Sequence, residues 1–179
     1  ALPAASAFET PLGDVPIAAD AAVRLAGLPQ VVVSDVPHGR EHALEVELPF
    51  LQVALERFEL VPLVVGDAGP DEVAEVLARL WGGEETLIVG STDLSHYRDY
   101  ATAAALDRAT ADAIGALDVD GIAAGDACGR NPLRGLLLAA RRRLDIGRRR
   151  PVAAIGNVIA DGVVEQHRVL RDDADLRPQ

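Results

Sequence analysis

Three short apolar runs limit what this chain can fold into: Val31 to Val33, Leu60 to Val65 and Thr86 to Gly90. Each is bounded by Gly, Pro, Asp or Ser, and none shows the polar–apolar alternation of a half-exposed strand. Such runs suit strands buried on both faces, the pattern of a parallel sheet. Pro62 interrupts the second run, because proline lacks a ladder donor and prefers an edge. Ala/Leu-rich stretches of helical spacing lie between the runs. They predict helices over Asp20 to Leu28, Arg40 to Arg57, Pro70 to Trp81, Asp99 to Ala116 and Pro132 to Arg143. The third opens with Pro70-Asp71-Glu72, placing proline and two acids where the helix dipole favours them. Towards the C-terminus, Pro151 to Val158 and Val163 to Leu170 flank Asp161-Gly162, a hairpin signal. The alternation predicts an α/β fold with a mainly parallel central sheet and helices on both faces.

No repeat, low-complexity linker or shift in composition marks a second domain. A single domain over residues 1–171 with a polar tail over 172–179 is expected. Aromatic residues make up only 3% of the 179, so Ala, Val, Leu and Ile must build the core. The formal net charge of −11 argues against nucleic acid as a partner. No apolar run has the length of a membrane span, and a lone cysteine, Cys128, fits a reducing compartment. A cytoplasmic protein is the expectation, and the absence of an initiating Met reads as a fragment or a trimmed chain.

Chemistry-bearing residues gather in three places. The stretch "STDLSHYRDY" (Ser91 to Tyr100) follows the third apolar run directly. In open α/β sheets, ligands collect outside the carboxyl ends of strands, where this loop would lie. Asp93 can orient the imidazole of His96 or cap the turn that follows, and local sequence leaves both roles open. Ser95 lacks a Gly-x-Ser-x-Gly elbow, which argues against a serine hydrolase. On the second predicted helix, His42 and Glu45 stand three apart, a spacing that can serve a metal or simply mark a surface histidine beside acids. Leu44, Leu48, Leu51 and Leu55 recur there at core-facing positions. Cys128 sits in "GDACGRNPLRG", before Asn131 as an N-cap and Pro132 at the first helical position. A cysteine near a helix start suits metal binding or reactivity, although lone cysteines are often small buried hydrophobes. Arg130 can recognise an anion or pair with an acid. His38 and His167 carry no motif.

Five blocks, "FETPLGDVPI" (Phe8 to Ile17), "EHALEVELPFLQ" (Glu41 to Gln52), "LVPLVVG" (Leu60 to Gly66), "STDLSHY" (Ser91 to Tyr97) and "CGRNPLRGLL" (Cys128 to Leu137), occur in one order. In that order and spacing the chain resembles the Memo-like family, known in bacteria as protein B of the AmmeMemoRadiSam system. The resemblance implies a fold like the class III extradiol dioxygenases, with a non-haem metal cleft that takes a small molecule or a peptide. It implies Cys128 as a metal ligand, His96 as an acid–base group with Asp93 beside it, and His42 with Glu45 lining the same cleft. Iron or copper is the implied metal. Family members also carry an N-terminal segment with HAGY-like and GPNH-like stretches that these 179 residues lack. Two further ligand histidines belong to that segment, so the ligand set here is incomplete. Either a dioxygenase-type oxidoreductase or a non-catalytic scaffold fits this pattern. Sheet edge and apolar surface left open by the missing segment predict self-association. The closing family strand has no match in residues 148–170.

Overall fold

The computed structural model describes residues 1–83, 85–145, 154–160 and 163–169. Among the described residues the chain is a mixed α/β fold with five α-helices. A short antiparallel pair, β1 (Ala7–Phe8) and β2 (Val15–Pro16), precedes α1 (Ala21–Arg24). A 3₁₀ turn at His38–Arg40 leads into α2 (Ala43–Ala54), followed by α3 (Pro70–Leu80), α4 (Tyr100–Gly115) and α5 (Arg130–Asp145). The strand pair expected near the C-terminus is formed: β3 (Ala154–Ala160) pairs antiparallel with β4 (Val163–Val169), and Ala160 is the register partner of Val163. Asp161 and Gly162, where the turn is expected, and the predicted tail over 172–179 lie outside the described residues.

Local chemistry explains the helix ends. At α3, the Glu72 carboxylate accepts the Gly69 N–H at 2.7 Å, and Pro70 gives up no bond in the first turn. At α4, Asp99 is the N-cap and accepts from the Thr102 N–H at 3.1 Å and its hydroxyl at 2.6 Å. Those two bonds hold the Asp99 carboxyl below its ordinary value. The second helix is shorter than predicted at both ends; it starts late because Glu41 is extended, its carboxylate accepting the His42 and Ala43 N–H groups at 2.8 and 2.9 Å ahead of the first turn. The last helix begins earlier than predicted. Asn131 is therefore inside α5 rather than its cap, and its amide donates to the Gly66 carbonyl at 3.0 Å.

The central parallel sheet does not form as a ladder among the described residues. Val31 to Val33, Leu60 to Val65 and Thr86 to Gly90 run without strand pairing beyond two isolated parallel bridges, Leu2 with Val33 and Ile17 with Leu60. Their burial gives the reason. Val31, Val61, Leu63, Val65 and Ile88 pack against helical clusters, but Val32, Val33, Leu87 and Val89 are exposed. The first and third runs thus have one covered side and one open side, instead of the two covered faces that a parallel sheet requires, whereas no residue of the middle run is exposed. Pro62, fully buried, offers no donor in the middle run.

The core is helical, and α3 is its centre. Val76 and Leu80 join Leu2, Leu25 and Leu28 on one side. Val73, Ala74 and Leu77 join Ala139 on the other, with Leu136 and Trp81 packed against them. A third cluster, Val119, Ile122, Leu133 and Leu137, ties the segment after α4 to α5. The close approach of α3 and α5 depends on Gly135, where an added Cβ would lie 2.3 Å from both Cβ and Cγ1 of Val73. On α2 only Leu48 of the four predicted leucines is fully buried, and Val46, Phe50 and Val53 line an exposed stripe.

Candidate metal centre

The loop from Ser91 to Asp99 carries the first two members of the site, and the turn entering α5 carries the third. Asp93, His96 and Cys128 each offer a ligand atom, and these atoms all lie within 4.8 Å of one another. All three residues are exposed. Asp93 and Cys128, 35 residues apart in sequence, are bridged by backbone as well as side chain. The Cys128 N–H donates to the Asp93 carbonyl at 3.1 Å, and the Asp93 N–H donates to the Cys128 Sγ at 3.2 Å. Thr92 strengthens the junction: its Oγ1 accepts the Gly129 N–H at 2.8 Å and lies 3.6 Å from the sulfur.

Gly129 permits this docking. A Cβ there would stand 2.7 Å from Thr92 Oγ1, 2.8 Å from Thr92 Cβ and 3.1 Å from the Ser91 carbonyl. The two loops therefore meet closely enough for the sulfur to receive a backbone donor, an arrangement that orients a ligand sulfur. Cys128 is an exposed thiol, so its reading as a small buried hydrophobe is not borne out.

The other predicted residues lie elsewhere or serve other ends. His42 Nδ1 pairs with Glu45 Oε1 at 2.9 Å, both side chains well exposed, and His42 is not among the three converging residues. Its helix nevertheless touches the site loop, because the Ser91 hydroxyl donates to Glu47 Oε1 at 3.3 Å. Ser95 has a buried hydroxyl without a partner, and its N–H donates to Asp107 Oδ1 at 2.9 Å. Arg130 is half-buried and holds the Ile122 carbonyl through Nε at 2.9 Å, which makes it a tie between loops. His38 Nε2 lies 3.1 Å from the Ala1 carbonyl, with its ring edge-on to Phe8. His167 is on β4, opposite Gly156. Sequence reasoning missed Thr92, Glu47 and Asp107. Thr92 could have been suspected from its place inside the motif, but nothing in the sequence signals Asp107.

Nitrogen, oxygen and sulfur donors together suit a transition ion rather than magnesium or calcium. Ligand atoms around a tetrahedral ion with bonds of roughly 2.0–2.3 Å stand roughly 3.3–3.8 Å apart, so a contraction of about 1 Å closes the set. Exposed side chains can make that movement by rotamer change. Two larger grooves lie away from the cluster. One of about 720 Å³ runs between the β1–β2 turn and the end of α2, and one of about 530 Å³ lies between α3 and α5.

These features define a class: a mixed α/β chain whose loop ends gather a candidate transition-metal site. The chain belongs to the Memo-like protein family, whose model matches residues 1–142. It is 32% identical to a MEMO1 family protein of Methanothermobacter thermautotrophicus over 149 residues, covering 75% of this chain and 53% of the relative. Against a MEMO1 family protein of Sulfolobus acidocaldarius it is 30% identical over 149 residues, covering 75% and 52%. A third, from Thermotoga neapolitana, is 38% identical over 113 residues, covering 60% and 40%. The chain spans about half the length of these relatives. No solved structure matches. Among the described residues no helix is long and apolar enough to cross a membrane.

Proposed function

We propose that this Memo-like chain binds a transition metal through Cys128 Sγ, a ring nitrogen of His96 and a carboxylate oxygen of Asp93. The convergence of those three ligand atoms carries the reading. Three protein ligands are the number typical of open, catalytic metal sites rather than closed structural ones. A bound iron or copper ion would supply Lewis acidity and redox chemistry at that point. The chain's own part is to fix the donors. The Asp93 N–H and Thr92 hydroxyl orient the sulfur, and the turn through Ser95 presents the imidazole. In this reading the protein retains a dioxygenase-like cleft, with His42 outside the ligand set.

His96 has two exclusive uses for a given ring nitrogen, as a ligand or as an acid–base group. Metal content after anaerobic loading with iron separates them. Wild type is expected to retain one equivalent, and Asp93→Ala and His96→Ala to retain markedly less. Full retention by His96→Ala leaves the imidazole free for proton transfer. No retention by wild type removes the metal reading altogether.

A second reading, a non-catalytic binding protein, is favoured by the exposed apolar residues Val32, Val33, Val46, Phe50, Val53, Leu87 and Val89. Apolar surface of this extent invites association with a partner or a second copy. Light scattering on the purified chain is expected to show species larger than a monomer. A sharp monomer at all concentrations would contradict it.

A further inference from the structure

Beyond the ties at Ser91 and Thr92, the loop that carries the site is anchored at two further points, and the second is outside the cluster itself. The first is the pair of bonds between Asp93 and Cys128, one from the Cys128 N–H to the Asp93 carbonyl and one from the Asp93 N–H to the Cys128 sulfur. The second is the bond from the Ser95 N–H to Asp107 Oδ1, 2.9 Å long, reaching across to α4. Among the described residues it is the one hydrogen bond made to residues 94–98. The stretch it holds is under conformational load. Tyr97 takes φ +57°, a left-handed conformation unfavourable for a bulky side chain, and that side chain is fully exposed, so packing does not impose it. Ser95 also keeps its hydroxyl buried without a partner, which a freely moving loop would relieve by turning it to water. His96 lies between the anchored residue and the strained one, and its ring tilts against Tyr97 with centroids 5.9 Å apart.

We infer that Asp107 is the positioning residue of the site: its carboxylate fixes the Ser95 backbone and thereby keeps His96 within ligand reach of Cys128. The inference rests on the metal-binding reading for its consequence, but the fixing of the loop stands apart from it. Asp107 is half-buried and touches no ligand atom, so it acts through the backbone alone. An acceptor oxygen, rather than a negative charge, is what this role requires.

Amide exchange over residues 92–98 and cobalt(II) titration, run on wild type, Asp107→Ala, Asp107→Asn and Thr110→Ala, test it together. Thr110, buried on the same helix with its hydroxyl on the Leu106 carbonyl, gives a variant that disturbs α4 without touching the loop. Asp107→Ala is expected to speed exchange of the Ser95 amide about tenfold and to weaken cobalt binding about tenfold. Asp107→Asn, which keeps an oxygen acceptor, is expected to return both close to wild type. Thr110→Ala is expected to leave loop exchange and cobalt affinity unchanged. Wild-type exchange and affinity in Asp107→Ala would overturn the inference, as would equal effects of Thr110→Ala. If wild type binds no cobalt, the metal reading fails while the exchange measurement still decides whether Asp107 fixes the loop.

Discussion

Gly135→Ala is expected to destabilise the protein by on the order of 3 kcal/mol, visible as a lower urea midpoint with an unchanged slope. Alanine is ordinarily the better helix former, by about 1 kcal/mol, so propensity alone predicts the opposite sign. Sterics decide it. The new methyl would stand 2.3 Å from both Cβ and Cγ1 of Val73, on a β-branched side chain with no free rotamer to yield into. Relief requires α3 and α5 to move apart, opening the cluster of Val73, Ala74, Leu77 and Ala139. The clash involves Val73 Cβ as well as Cγ1, so Val73→Ala rescues Gly135→Ala only in part, whereas Val73→Gly removes both contacts. A double-mutant cycle should show the larger coupling for the glycine partner. An added methyl that leaves the urea midpoint unchanged would mean that the two helices do not approach as described.

Cys128→Ala has the largest expected effect on function: loss of more than about a hundredfold in metal affinity. Removal of groups that merely support a ligand typically costs about 10- to 100-fold, and the sulfur is the ligand itself. It is also the one soft donor in the set, and it determines preference for a transition ion over the hard divalent cations. The change should cost little stability, because the thiol is exposed and its main tie, the Cys128 N–H to the Asp93 carbonyl, survives in alanine. A large fall in stability would indicate that the sulfur holds the loops together rather than serving a ligand.

The helices were the legible part of the fold. Pro70, the acids after it and Asp99 announce α3 and α4 because capping is local chemistry, settled within one turn. Sheet pairing is not local. The apolar runs around Val32, Val64 and Val89 predict burial on two faces; the fold covers one face of the first and third, and the middle run is covered yet makes no ladder. Hydrophobicity records that a residue seeks cover without recording what supplies it. The site shows the same division. Asp93, His96 and Cys128 could be singled out by residue type and by the five-block resemblance, and the fold brings all three together. His42 was a fair candidate on spacing, yet Glu45 engages it on the exposed face of its own helix. Asp107 was invisible, since an aspartate in the middle of an amphipathic helix looks like solvated surface until the loop that uses it is seen.

The central claim is that Cys128, His96 and Asp93 bind one metal ion together. Cobalt(II) absorption tests it most directly, because sulfur bonded to cobalt gives a charge-transfer band that nitrogen and oxygen ligands do not. The account predicts a band saturating at one equivalent in wild type, absent in Cys128→Ala and weakened in both His96→Ala and Asp93→Ala. A wild-type spectrum without the band, or a band of full strength in both His96→Ala and Asp93→Ala, would contradict it.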